Sequence, residues 1–199
     1  MAISWKNTVA PLNVPVWPNQ WRPEWLAHLA LQHQLIVALD SKLTDRVLAQ
    51  VNKANTEQGG LLLGRLWRGE SHPSDAARLV EICLEVPAVS ADSSALSLKM
   101  DAVVWESARL LCDQALLQGQ PISQSQGTSP LRVVGWYHSH PNLSAFFSQT
   151  DRQTQANFFA NSFSVGWVID PFNTRRDGSL DEAFFVGPQS EAIRVFRQP

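Results

Sequence analysis

The chain is short of cysteine, of any excess of charge and of long apolar runs, and each shortage excludes a class of protein. Cys83 and Cys112 are isolated, without C-x-x-C spacing, so there is neither a disulfide framework nor a cysteine metal knuckle. They read as buried thiols of a reducing compartment. The formal net charge is −2 and no lysine or arginine run occurs, which leaves no electrostatic footprint for nucleic acid. No stretch is apolar for long enough to span a membrane or to serve as the core of a signal peptide, and the chain reads as cytoplasmic. No internal repeat is present.

What is present suffices for one domain with an appendage: 199 residues, 44% of them hydrophobic, can bury a proper core. Strand and helix alternate. Leu43, Val47 and Val51 at four-residue spacing predict a short amphipathic helix over 41–55, and strands follow at about 57–68 and 78–87. The clearest helix is predicted over 101–118, where Val104, Ala108, Leu111 and Ala115 form one stripe, with Asp101 to cap it and Gly119 to stop it. Residues 164–169, 182–186 and 192–197 read as closing strands. The order is that of a mixed α/β fold, a curved β-sheet flanked by helices.

Two stretches fall outside this pattern. Residues 118–130 are polar and rich in Gly, Ser and Pro, and read as a connecting loop. Residues 1–34 form an extension ahead of a domain at 35–199, with Trp5, Trp17, Trp21 and Trp25 among Pro11, Pro15, Pro18 and Pro23. Prolines preclude a long regular helix and tryptophans rarely stay in solvent, so the extension is expected to pack on its own domain rather than on a partner. His28, His33 and His72 have no spaced ligand partners and read as ordinary polar residues.

The most informative segment is 135–151, G-W-Y-H-S-H-P-N-L-S-A-F-F-S-Q-T-D. Residues 131–137 predict an apolar strand, on which side chains two apart share a face, so His138 and His140 can point the same way before Pro141 ends the ladder. Ser148 opens a helix expected to run to Ala160, and Asp151 in its first turn can face back to the strand end. Two imidazoles and a carboxylate suit zinc and leave a fourth position for water, the layout of a catalytic metal site. Each half also has a plainer reading: two hydrogen-bonded histidines, and a helix cap followed by a dipole-favoured acid.

H-S-H-P, six residues, then S-x-x-D resembles the motif of the JAMM (MPN+, Mov34/PAD-1) metalloproteases, and E-Q-G-G-L-L-L-G at 57–64 is similar to the strand segment carrying that family's glutamate. The resemblance covers about residues 35–199 and implies the MPN (JAB1/MPN, cytidine-deaminase-like) fold. It implies that His138, His140 and Asp151 bind one zinc ion per chain, that Glu57 is the general acid/base and that Ser148 stabilises the oxyanion. The reaction implied is cleavage after the C-terminus of a ubiquitin-like protein by a zinc-activated water. Zinc lowers the pKa of bound water to roughly 7, and one positioned carboxylate can take the remaining proton and later deliver it to the departing amine.

Other classes stay open. A non-catalytic MPN scaffold is disfavoured by the complete motif, and a structural zinc module by the presence of three apparent ligands where such sites close with four. Processing of a sulfur-carrier protein is the nearest alternative reaction. The compact chain is similar to bacterial JAMM proteins encoded with ubiquitin-like, E1-like and E2-like partners in conjugation or antiphage systems, which implies a ubiquitin-like protein or its conjugates as partner. An extended substrate tail is expected to add as a strand along 94–99, touching Leu96 and Ser97, with Phe146 and Phe147 walling its end.

Overall fold

Apolar or alternating runs of three to ten residues become strands, and the polar-apolar stretches between them become helices. The structure, a computed structural model, describes residues 14, 16, 35–52, 55–68, 77, 79–88, 102–117 and 129–198. Strand β1 (Ile36–Asp40) passes directly into helix α1 (Ser41–Val51), whose first turn is capped by the Asp40 carboxylate accepting from the Lys42 amide at 2.9 Å. Then come β2 (Gly59–Trp67), β3 (Leu79–Pro87), α2 (Ala102–Leu117), β4 (Arg132–Ser139), α3 (Gln149–Phe158), β5 (Val165–Thr174), β6 (Leu180–Val186), β7 (Glu191–Ile193) and β8 (Val195–Gln198).

The pattern differs from expectation at several points. Helix α3 stops at Phe158, short of Ala160, and β5 runs on to Thr174, past residue 169. β1 was not foreseen; its I-V-A-L run is buried because it pairs in parallel with both β3 and β8. Helix α1 stops at Val51, where the Asn52 amide caps it, short of residue 55. The closing stretch 192–197 is two strands, not one: β7 pairs with β6, and β8 pairs with β1.

That last split sets the shape of the sheet. All eight strands join in the order β7-β6-β5-β4-β2-β3-β1-β8, so β7 and β8 are its two edges, yet only Arg194 separates them in the chain. A single linking residue spans no more than about 7 Å. The sheet therefore curls until its edges almost meet, a curved and nearly closed mixed sheet with helices against it.

Alternation along β2 feeds two cores: Leu62 and Leu66 join Val37, Leu39, Leu43, Val47, Tyr137 and Trp167 on one side, while Leu61 and Leu63 join Val104, Ala108, Trp136, Phe147 and Phe159 on the other. Helix α1 thus covers one face, and α2 the other. Val14, 1% exposed, belongs to the first core, and its carbonyl accepts from Arg68 Nε at 2.9 Å. One point of the N-terminal extension is thereby built into the domain. The rest of residues 1–34 except Val16, the loop at 118–128, and Asp101, Gly119 and His72 lie outside the described residues.

Cys83 and Cys112 fall in β3 and α2 as expected; both are free and half-buried, and burial pushes the Cys83 thiol up to about 12, away from reactivity. Among the described residues no helix is long and apolar enough to cross a membrane.

Candidate metal centre

The centre lies where β4 ends. Strand β4 runs antiparallel to β2 and parallel to β5, and the β4–α3–β5 crossover returns the chain over this end. His138 is in the strand; His140 follows one residue beyond it, its amide donating to the Ile169 carbonyl of β5 at 2.8 Å. Ser139 between them is fully buried and faces the other way, where its hydroxyl accepts from the Gln58 amide at 3.0 Å and its own amide donates to the Gln58 carbonyl at 2.7 Å. This pair of hydrogen bonds brings Glu57 beside the histidines. Gly60 lets β2 lie close to β3, since a Cβ there would fall 2.1 Å from the Val86 carbonyl oxygen.

Helix α3 starts at Ser148 with a reciprocal cap: the Ser148 hydroxyl accepts from the Asp151 amide at 3.2 Å, and Asp151 Oδ2 accepts from the Ser148 amide at 2.7 Å. The plain reading of S-x-x-D as a cap therefore holds, and it leaves Asp151 Oδ1 facing the histidines. The buried stripe of α3 is Asp151 and Gln155, one turn apart, while Phe158 stays exposed and Phe159 enters the core beyond the helix end.

The structure thus brings together all three candidate ligands. His138 Nε2 lies 3.0 Å from His140 Nε2 and 3.2 Å from Asp151 Oδ1, and His140 Nε2 lies 3.6 Å from Asp151 Oδ2. Tetrahedral ligation with bonds of about 2.0–2.2 Å separates ligand atoms by roughly 3.3–3.6 Å, so small adjustments seat a zinc ion among these three. Two of the three are shifted toward the form that offers a free lone pair, as a ligand must. Burial, and then the neighbouring His138, hold His140 below the ordinary histidine range. Burial alone would raise the Asp151 carboxyl, but the hydrogen bond and charge of His138 and the Ser148 cap outweigh it and hold Asp151 at about 2. Glu57, with Oε1 3.9 Å from His140 Nε2, stands apart from this set; burial raises its carboxyl above the ordinary range, against the pull of His138.

Around the centre, Phe146 is 47% exposed and meets His140 edge-on, with ring centroids 4.9 Å apart. Phe147 is placed differently: it is buried, stacked on Phe185 at 4.1 Å and tilted against His138 at 6.1 Å. Leu96 and Ser97, expected to touch a substrate tail, lie outside the described residues. Sequence reasoning missed Trp136, Gln155 and Asp170, all fully or almost fully buried near the candidate ligands. Gln155 carried a signal, its i+4 spacing from Asp151; Asp170 carried a fainter one, a lone acid ending the apolar run V-G-W-V-I.

A curled mixed sheet with two histidines at the end of a strand and an acid in the first turn of the next helix is an arrangement that could hold a metal ion. Residues 40–177 match the family described as prokaryotic homologues of the JAB domain, and the chain belongs to that family. It is similar to a deubiquitinase of Mus musculus, 30% identical over 150 residues that cover 70% of this chain and 15% of the relative. It is also similar to a ubiquitin carboxyl-terminal hydrolase of Saccharomyces cerevisiae, 42% identical over 53 residues that cover 26% of this chain and 17% of the relative. The chain therefore spans less than a fifth of the length of either. Its fold is shared with a solution structure from Desulfitobacterium hafniense, TM-score 0.57 at 16% identity, over 82% of this chain and 93% of that one.

Proposed function

We propose that the chain is a zinc-dependent peptidase or isopeptidase that cuts after the C-terminus of a ubiquitin-like protein. The observation that carries this reading is the convergence of His138 Nε2, His140 Nε2 and Asp151 within 4.8 Å of one another, with Glu57 across from them and outside the set. The names of the mouse and yeast relatives, both acting on ubiquitin, supply the substrate class. A zinc ion held by His138, His140 and Asp151 would lower the pKa of a water to about 7 and polarise the scissile carbonyl.

The remaining work falls to the chain. Glu57, its carboxyl raised by burial and its Oε1 beside His140, is placed to accept a proton from the attacking water and to return it to the departing amine. Ser148 uses its oxygen to accept from the Asp151 amide, which leaves its own O–H to donate to the carbonyl oxygen as that oxygen gains charge. Phe146, half exposed beside His140, flanks the last residues of the modifier.

Zinc content together with cleavage of a ubiquitin-like protein fused through its C-terminus to a fluorogenic amine tests the reading. One zinc per chain and chelator-sensitive cleavage are expected. Zinc without cleavage of any such fusion would favour a structural module, and cleavage confined to a sulfur-carrier precursor would redirect the substrate. Mass spectrometry of what a Glu57→Ala chain retains from its host would name the partner.

A further inference from the structure

Asp170 is fully buried, and no cation pairs with it among the bonds it makes; instead it gathers four N–H donors. One oxygen accepts from the amides of Asn142 at 3.1 Å and Phe172 at 3.0 Å, the other from the amide of Ser144 at 2.8 Å and from Asn173 Nδ2 at 2.7 Å. A buried carboxylate is tolerable only when its lone pairs are so satisfied. Burial alone would raise its carboxyl, but these bonds, led by that of Asn173, hold it below the ordinary range.

Two of the four amides belong to the turn that leaves His140, and that turn is strained. Asn142 sits at φ 62° and Ser144 at φ 69°, the left-handed region that residues with a Cβ enter at a cost. Such a turn persists when its surroundings over-determine it. On its near side the His140 amide donates to Ile169, the neighbour of Asp170, and the His140 carbonyl accepts from Leu143 at 3.1 Å. β5 therefore grips the chain on both sides of the histidine. The His140 ring itself meets the backbone of Ser144, the residue whose amide Asp170 holds, so its aim is set through this turn.

We propose that Asp170 is a positioning residue of the metal centre: its carboxylate clamps the strained turn after His140 and so aims that imidazole at the metal and sets Phe146 beside it. This rests on the zinc reading above. Asn and Asp have nearly equal volume, but in Asp170→Asn an NH2 group faces two of the four donors and half of the clamp is lost.

The test is the zinc affinity of purified metal-free protein, measured by competition with a chelator, alongside its melting temperature. Asp170→Asn is expected to bind zinc roughly 10- to 100-fold more weakly than the parent. Glycine enters the left-handed region freely, so adding Asn142→Gly and Ser144→Gly to Asp170→Asn should restore much of the affinity. A carboxylate needed only for folding would not be rescued by glycines in that turn. Ser144→Pro, which removes one donor and forbids the positive φ in an exposed turn, should weaken zinc comparably and serves should Asp170→Asn not fold. Parent-like zinc affinity in Asp170→Asn or in Ser144→Pro overturns the clamp, as does a loss in Asp170→Asn that the glycines leave untouched. A parent that takes up no zinc sinks the metal reading itself and the clamp with it.

Discussion

Trp136 lies flat on His138, the ring centroids 4.6 Å apart and the planes 5° from parallel. His138 Nδ1 has no hydrogen-bond partner, so the plane of this imidazole is fixed by stacking where a metal-bound histidine more often uses an acceptor. The indole is itself pinned, its Nε1–H donating to Gln155 Oε1 at 2.7 Å while Gln155 Nε2 donates to the Ser164 carbonyl at 2.9 Å. Gln155 is one helical turn from Asp151, so one buried network ties two of the three candidate ligands together. Gly166 makes room for it: a Cβ there would fall 2.2 Å from the Phe147 ring and 3.1 Å from Gln155 Oε1.

Substitutions in this network should separate stack from hydrogen bond. Gln155→Leu leaves the Trp136 N–H buried and unpaired, at about 1–3 kcal/mol, while the Ser164 carbonyl keeps the Gly187 amide as donor, and should lower the melting temperature by several degrees. Trp136→Phe keeps a ring against His138 and should hold zinc better than Trp136→Ala, in which the imidazole is free to turn. Chelator competition on the three variants reads this directly. Equal zinc affinity in Trp136→Ala and the parent would show that the stack does not position the ligand.

Loss of the ligands themselves should be plainer. His138→Ala and His140→Ala are each expected to remove most of the bound zinc, and the double substitution all of it, with one zinc per chain in the parent by elemental analysis. Full occupancy in the double variant would reject the assignment.

Glu57 and Asp151 should leave opposite marks on the pH dependence of metal-free stability. The Glu57 carboxyl is raised in the fold, chiefly by burial, so the folded state holds a proton the unfolded chain has released, and stability falls as pH rises from the ordinary carboxyl range through the raised value. Glu57→Gln removes that loss, and its advantage in melting temperature should appear above this window and vanish below it. Asp151 is held at about 2, so its contribution is complete above the ordinary aspartate range and is lost as pH falls toward 2; Asp151→Asn should destabilise at neutral pH and converge with the parent in acid. With zinc restored, Glu57→Gln should keep the metal and lose roughly 100-fold or more in turnover. Unchanged turnover would place the proton transfer elsewhere.

The clustering of the candidate trio was legible because its spacing is local: His138 and His140 share a strand face, and Asp151 opens the next helix. Glu57 was legible through the resemblance alone, since the Gln58–Ser139 pairing that brings it in joins residues far apart in the chain. Asp170 was hidden for the same reason, three of its four partners being backbone amides that any sequence would supply. Phe146 and Phe147 are identical letters side by side, and only the fold decides that one faces His140 while the other packs on Phe185. The break between β7 and β8 had no breaker residue to mark it; closure of the sheet, a property of the whole chain, sets it at Arg194.

Val14 makes the N-terminal extension testable. It is 1% exposed within the same core as Leu39, Val47 and Trp167, Arg68 Nε binds its carbonyl, and Val16 bridges to Arg68 as an isolated parallel pair. An extension that merely recruited a partner would not need this residue. Val14→Ala should therefore cost about 1–3 kcal/mol in unfolding free energy, and deletion of residues 1–34 should cost more, because it also removes the Arg68 acceptor. Cleavage of a small peptide substrate below the melting temperature should change little in Val14→Ala, since the residue does not belong to the core around Trp136 and Phe147 that backs the metal centre. Thermal unfolding of the parent, the point variant and the deletion, beside cleavage of a peptide and of a full conjugate, decides between packing and recruitment. A deletion that melts with the parent and fails only on the full conjugate would assign the extension to a partner.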